Sequence, residues 1–131
     1  MALAAVLLLT GCAMSAENQA LMSRARQTMP TCTGQAECEL KWAAARRWVQ
    51  NNAGFRIQNY STDFIQTYKS GDYANTDLGV EVSKEPMGGG AYQIVARMWI
   101  NNALSGGGIP AKLVQFNDYV NTAMPVSSGG Y

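Results

Sequence analysis

The sequence of 131 residues contains no histidine. Histidine is the usual general base near neutral pH and the commonest metal ligand. Its absence excludes a Ser-His-Asp triad, a Cys-His nucleophilic pair and a histidine-based zinc site. Charge is also scarce, because 10 basic and 9 acidic residues give a formal net charge of +1. Nucleic-acid-binding domains usually carry a strong basic excess, so we expect neither nucleic acid nor a metal ion as a partner.

Motifs that carry chemistry are missing as well. Neither glycine triplet, at 88–90 or 106–108, belongs to the G-x-x-x-x-G-K-[ST] pattern that cradles phosphate. The acids Asp63, Glu81 and Glu85 have no spacing that brings two carboxylates together, as glycoside hydrolysis requires. Solvated charge is the simpler interpretation of these acids. We therefore expect no enzymatic activity and no cofactor.

The amino terminus carries the strongest positive signal. An uncharged, apolar run of about ten residues ends in Leu9-Thr10-Gly11-Cys12. A helix that spans a bilayer needs ~20 apolar residues, whereas the apolar region of a signal peptide is of this shorter length. The four residues that end the run resemble the lipobox of bacterial lipoproteins: a leucine, two small residues and a cysteine.

This resemblance implies that residues 1–11 are a signal peptide and that Cys12 receives a diacylglycerol before the chain is cleaved in front of it. Two or more acyl chains anchor a protein stably to a membrane. In that class, a residue other than aspartate after the cysteine, here Ala13, implies the periplasmic face of the outer membrane. No Lys or Arg precedes the apolar run, which leaves open a start upstream of Met1 or a fragment. A buried thiol is the alternative for Cys12.

Residues 12–31 are predicted to hold the lipidated cysteine and a tether. Ala16 to Met29 is rich in good helix formers and precedes Pro30, which stops a helix. The segment is either a spacer or a first helix docked on the domain, and both alternatives remain open.

Cys32 and Cys38 form an even pair once Cys12 is acylated, and an oxidising compartment favours a disulfide between them. Their C-x5-C spacing differs from the C-x-x-C of thiol oxidoreductases and zinc sites. A structural disulfide is therefore predicted.

A helix is predicted from Glu37 to Asn52. Trp42 and Trp48 fall on one broad face of this helix, and Arg46 and Arg47 lie opposite. A platform that combines the tryptophans with the arginines to bind a ligand is one interpretation. The angular separation favours the other, in which the tryptophans are core and the arginines are solvated.

The rest of the chain alternates as strands do, in four segments: residues 55–60, 63–68, 78–83 and 92–100. A second helix with an apolar stripe is predicted from Pro110 to Met124. These segments predict an α+β fold, in which a three- or four-stranded antiparallel meander packs against an N-terminal and a C-terminal helix. The predicted domain spans 32–125 and the loose tail spans 126–131.

Two hypotheses for function follow. The first is a non-catalytic, membrane-anchored envelope lipoprotein that contacts another envelope protein or a wall or surface polymer. Its candidate contact surface is Val95, Arg97 and Trp99, on the second face of the last strand. The alternative is a small-molecule or glycan binder, or a weak hydrolase, in the periplasm, and it requires a real pocket. The absence of histidine, the low charge and the small size favour the first hypothesis.

Overall fold

The computed structural model describes residues 15–69, 77–100 and 108–123. Over these residues the chain forms, in order, α1 (Ala16–Gln27), β1 (Thr31–Thr33), α2 (Gln35–Asn52), β2 (Ile57–Tyr60), β3 (Phe64–Thr67), β4 (Leu78–Gly88), β5 (Ala91–Ile100) and α3 (Ile109–Asn121). The strands make one antiparallel sheet in the order β1-β5-β4-β3-β2. The predicted α+β class is thus confirmed.

The sheet has five strands, so the predicted count of three or four is too low. The extra strand is β1, in which Cys32 pairs with Tyr92 on β5. A segment of three residues shows no alternation that a sequence can reveal. Its extended conformation depends on pairing with a strand that lies far along the chain.

Helix α1 packs against α3. The buried side chain of Asn117 donates a hydrogen bond from Nδ2 to the backbone oxygen of Ala25, at 2.8 Å. Arg24 and Asp118 form an exposed ion pair at 3.3 Å between the same helices. Of the two alternatives for residues 16–27, the structure therefore has the docked helix rather than the spacer.

The core lies between α2, α3 and one face of the sheet. Every second residue of β3, β4 and β5 faces this core; Ile65, Val80 and Ile94 are fully buried there. Trp48 meets Phe116 of α3 edge to face, with 5.4 Å between ring centroids. The apolar residues whose alternation predicts the strands are therefore the residues that the structure buries in the core.

The opposite face of the sheet is called here the outer face. It carries Val95, Arg97 and Trp99, which pair in register with Ser83, Glu81 and Gly79 of β4. Trp99 lies over Gly79, because a Cβ added to that glycine would overlap the indole ring. The missing side chain thus gives the indole room to lie flat on the sheet.

This packing makes Gly79→Ala a test of how Trp99 sits. The new methyl group is expected to displace the indole and to lower the free energy of unfolding by about 1–2 kcal/mol. In a Trp99→Ala background the same change is expected to cost nothing, since the overlapping ring is absent. Urea unfolding of the four proteins measures both values. Equal losses in the two backgrounds would show that the ring does not lie over Gly79.

The hairpin between β4 and β5 turns later than the sequence indicates. The predicted strand segments end at residue 83 and resume at 92, but β4 continues to Gly88, and the reversal occurs over Gly88–Gly90, all with positive φ. Proline has no N–H to donate, but this does no harm at Pro86. Its nitrogen points toward the β3 edge of β4, beyond the residues of β4 that pair with β3. The preceding bond on that side runs from Lys84 N to Asp63 O.

Several predicted features lie outside the described residues. They are the signal peptide and Cys12, most of the residues 69–77 and 101–109 that separate the predicted strands and second helix, and the tail at 126–131. Among the described helices, none is both long and apolar enough to cross a membrane.

Candidate functional site

The disulfide between Cys32 and Cys38 is confirmed. It joins β1 to the first turn of α2, with 5.1 Å between the two Cα atoms, and both side chains are buried. The bond therefore fixes the edge strand β1 against the start of the longest helix. Cys38 also lines a cavity that the sequence does not reveal.

The three residues of the candidate contact surface, Val95, Arg97 and Trp99, share the outer face of the sheet. Arg97 is already bound within the sheet, to Glu85 and to Ser83 Oγ, each at 3.2 Å. Trp99 is partly covered, with the ammonium of Lys69 5.3 Å from its ring centroid. These contacts within the chain give Arg97 and Trp99 a structural role on the outer face. Contact of this surface with a partner stays a prediction.

A cavity of about 580 Å³, called here the aromatic cavity, opens between α2, the β2–β3 turn and the β4–β5 hairpin. That volume lies within the range of small-ligand sites. Its lining combines three aromatic rings, one lysine, one carboxylate and several hydroxyl or amide groups: Gly34, Gln35, Cys38, Glu39, Trp42, Ala43, Tyr60, Ser61, Thr62, Lys84, Gly90 and Tyr92.

The aromatic rings have different positions in this cavity. Trp42 is 5% exposed and forms part of its wall, and its Nε1 donates a hydrogen bond to the backbone oxygen of Ser61 at 2.9 Å. Tyr60 of β2 is 47% exposed and lies at the rim of the cavity. Tyr92 of β5 lines the cavity as well and is half-buried. A ligand would thus meet a fixed wall and an accessible ring.

Lys84 is the cation of the aromatic cavity. Its Nζ lies 5.7 Å from the ring centroid of Trp42 and 5.2 Å from that of Tyr92. Both distances are within the range of cation–π attraction. The ammonium is therefore held by ring faces rather than by a carboxylate from the part of the chain that the structure describes.

A second cavity of about 540 Å³, called here the arginine cavity, lies along β2. Arg46 and Arg56 line it, and so does Tyr60, which therefore belongs to both cavities. The guanidinium carbon of Arg46 is 4.3 Å from the centroid of the Tyr60 ring. The two cavities thus meet at one stacked pair of side chains.

The sequence predicts that Trp42 and Trp48 are core residues, and this is confirmed, with both side chains buried. The helical pattern does not indicate that Trp42 also forms a cavity wall or that Arg46 reaches Tyr60 of another element. One signal was present: the alternation of Leu78, Val80 and Val82 continues to residue 84 and so places a lysine in a core-facing position.

The lining favours binding over hydrolysis. Glycosidases of the usual kind require two carboxyl groups that flank the scissile bond. Among the described residues that line the aromatic cavity, Glu39 is the only acid, and it accepts a hydrogen bond from Gln35 Nε2 at 3.0 Å. No group of three metal-ligating side chains occurs within the described ranges.

Comparison of the chain with protein-family models, with curated proteins and with solved structures finds no match.

Proposed function

We propose that this protein is a lipid-anchored, non-catalytic binding module of the bacterial cell envelope that holds part of a wall or surface glycan in the aromatic cavity. The lipobox-like Leu9-Thr10-Gly11-Cys12 supports the anchor. The observation that carries the binding function is the cavity itself, where aromatic faces stand beside hydrogen-bonding side chains.

Sugar rings match this lining in two ways. Each ring has weakly polar C–H faces that pack on aromatic side chains, and a tyrosine supplies a flat apolar face with a polar tip. Each ring also has a rim of hydroxyls that need hydrogen-bond partners. Gln35, Ser61 and Thr62 supply such partners around the rings of Tyr60 and Tyr92.

The competing hypothesis is an envelope protein that docks on Val95, Arg97 and Trp99. That surface is partly exposed but already has internal contacts for Arg97 and Trp99. The aromatic cavity, by contrast, holds an accessible tyrosine and a lysine without a described carboxylate partner. The cavity is therefore the better-supported site.

Tyr60→Ala tests the proposal. Full-length protein in detergent is titrated with maltohexaose and with hexagalacturonate, and binding is followed by calorimetry. Loss of one stacking ring is expected to weaken binding about three- to tenfold. Because Tyr60 is 47% exposed, the substitution is expected to leave the fold intact.

Tyr68→Ala is the matched control. Tyr68 is 51% exposed and lines neither cavity, so its removal is expected to leave binding unchanged. Failure of both hexasaccharides to bind at millimolar concentration would refute the glycan-binding function. Equal losses in the two variants would refute the aromatic cavity as the site.

A further inference from the structure

We infer that the glycan is acidic and that it runs across Tyr60 from the aromatic cavity into the arginine cavity. This inference rests on the proposed function and names the class of glycan that the same site takes. It is carried by the charge of the two cavities and by their shared lining residue, Tyr60. Neither feature is required for binding a neutral sugar.

The first observation is a set of cations that have no ion-pair partner among the described residues. Lys84, Arg46 and Arg56 line the two cavities, and no carboxylate in the part of the chain that the structure describes forms an ion pair with any of them. The ion pairs between described residues lie elsewhere, at Arg24–Asp118, Lys41–Glu37 and Arg97–Glu85.

The second observation is where these cations stand. The Arg46 guanidinium lies over Tyr60 at the junction of the cavities, with Lys84 on one side and Arg56 on the other. A chain of sugars that stacks on Tyr60 would therefore pass a cation at the junction and in each cavity. A polymer with a carboxylate on successive sugars can meet all of them at once.

Acids near this path are held by other groups. Glu39 is the carboxylate that lines the aromatic cavity, and Gln35 donates to it. Asp63 Oδ1 accepts a hydrogen bond from Ser61 Oγ at 2.9 Å, and Asp77, whose side chain lies against Gly54, lines neither cavity. Three cations against one lining acid give the two cavities a positive balance of two charges.

The helix itself provides a matched pair of variants for the test. Arg46 and Arg47 are adjacent on α2 and both are exposed, but Arg47 Nε donates to Tyr119 Oη of α3 at 3.3 Å and lines neither cavity. Arg46→Gln and Arg47→Gln therefore make the same change in net charge at two different faces. Only the first removes a cation from the proposed path.

Full-length protein and both variants are titrated with hexagalacturonate, maltohexaose and a hexaglutamate peptide at low and high salt. We expect hexagalacturonate to bind at least tenfold more tightly than maltohexaose at low salt, and salt to reduce this difference. Arg46→Gln is expected to weaken hexagalacturonate binding about three- to tenfold. The same variant should weaken maltohexaose binding by a smaller factor, because it removes only the side chain that stacks on Tyr60, so the preference for hexagalacturonate should fall. Arg47→Gln should change neither affinity.

Each other outcome has a definite meaning. Equal affinity for the two hexasaccharides would overturn the acidic preference but leave the glycan-binding function standing. Equal effects of the two arginine variants would overturn the path across Tyr60. Equally tight binding of hexaglutamate would show that charge alone is recognised and would overturn the assignment to a glycan. Binding of neither hexasaccharide would refute the proposed function itself.

Discussion

Cys12→Ser is expected to abolish the incorporation of labelled palmitate when the chain is produced in a Gram-negative host behind a basic leader segment. The acyl-bearing diacylglycerol is attached to a thiol in the class that Leu9-Thr10-Gly11-Cys12 resembles, and a serine hydroxyl is a much weaker nucleophile than a thiolate. The expected change is therefore from full labelling to none. Gel autoradiography of the purified proteins measures it.

The other two cysteines provide the control. A Cys32→Ala/Cys38→Ala variant removes the disulfide and leaves Cys12 in place, so it is expected to retain the label. Mass spectrometry of the wild-type protein should find a chain that starts at Cys12 and carries lipid. Labelling of the Cys12→Ser variant, or a wild-type chain without lipid, would contradict the lipoprotein assignment.

The docked position of α1 limits how far a lipid on Cys12 could hold the domain from a membrane. If residues 13–31 formed an extended spacer, these nineteen residues would reach ~60 Å. In the structure, however, the docked helix α1 already begins at Ala16. The four residue steps from Cys12 to Ala16 span at most ~14 Å. If Cys12 is lipidated, the domain is therefore held close to the membrane surface, and the proposed glycan ligand is expected to be one that comes equally close to that membrane.

The larger elements could be predicted from the sequence because their burial repeats with a regular period. The four alternating segments correspond to β2, β3, β4 and β5, and the two apolar stripes correspond to α2 and α3. Strand β1 could not be predicted, since its pairing with residues 91–93 is set by contacts across the sheet. The strand propensity of three residues carries no information about a pairing partner so far along the chain.

The candidate site was harder to predict than the fold. Tyr60 of β2 and Lys84 of β4 are brought close by the antiparallel pairing through β3. Trp42 joins them from α2, where its Nε1 donates a hydrogen bond to Ser61 O. Composition indicates only that aromatic residues are available. The lysine in a core-facing position of β4 is the one local signal for this cavity. It indicates a binding site only together with the rings of Trp42 and Tyr92, which the sequence alone does not place beside it.

Removal of the disulfide is expected to have the second large effect. Cys32 and Cys38 close a short loop with a sequence separation of 6, for which the chain-entropy account gives about 2 kcal/mol of stabilisation. In a domain of this size, that loss lowers the midpoint of thermal unfolding by roughly 10 °C. Circular dichroism of the Cys32→Ala/Cys38→Ala variant measures the shift.

Reductant provides an independent check on the same bond. Wild-type protein in dithiothreitol is expected to melt near the temperature of the double variant, while reductant should not change the melting of the variant itself. Because Cys38 lines the aromatic cavity and the bond holds β1 against α2, the variant is also expected to bind hexagalacturonate more weakly. Identical melting of oxidised and reduced wild-type protein would contradict a stabilising role, and unchanged binding by the folded variant would separate the disulfide from the site.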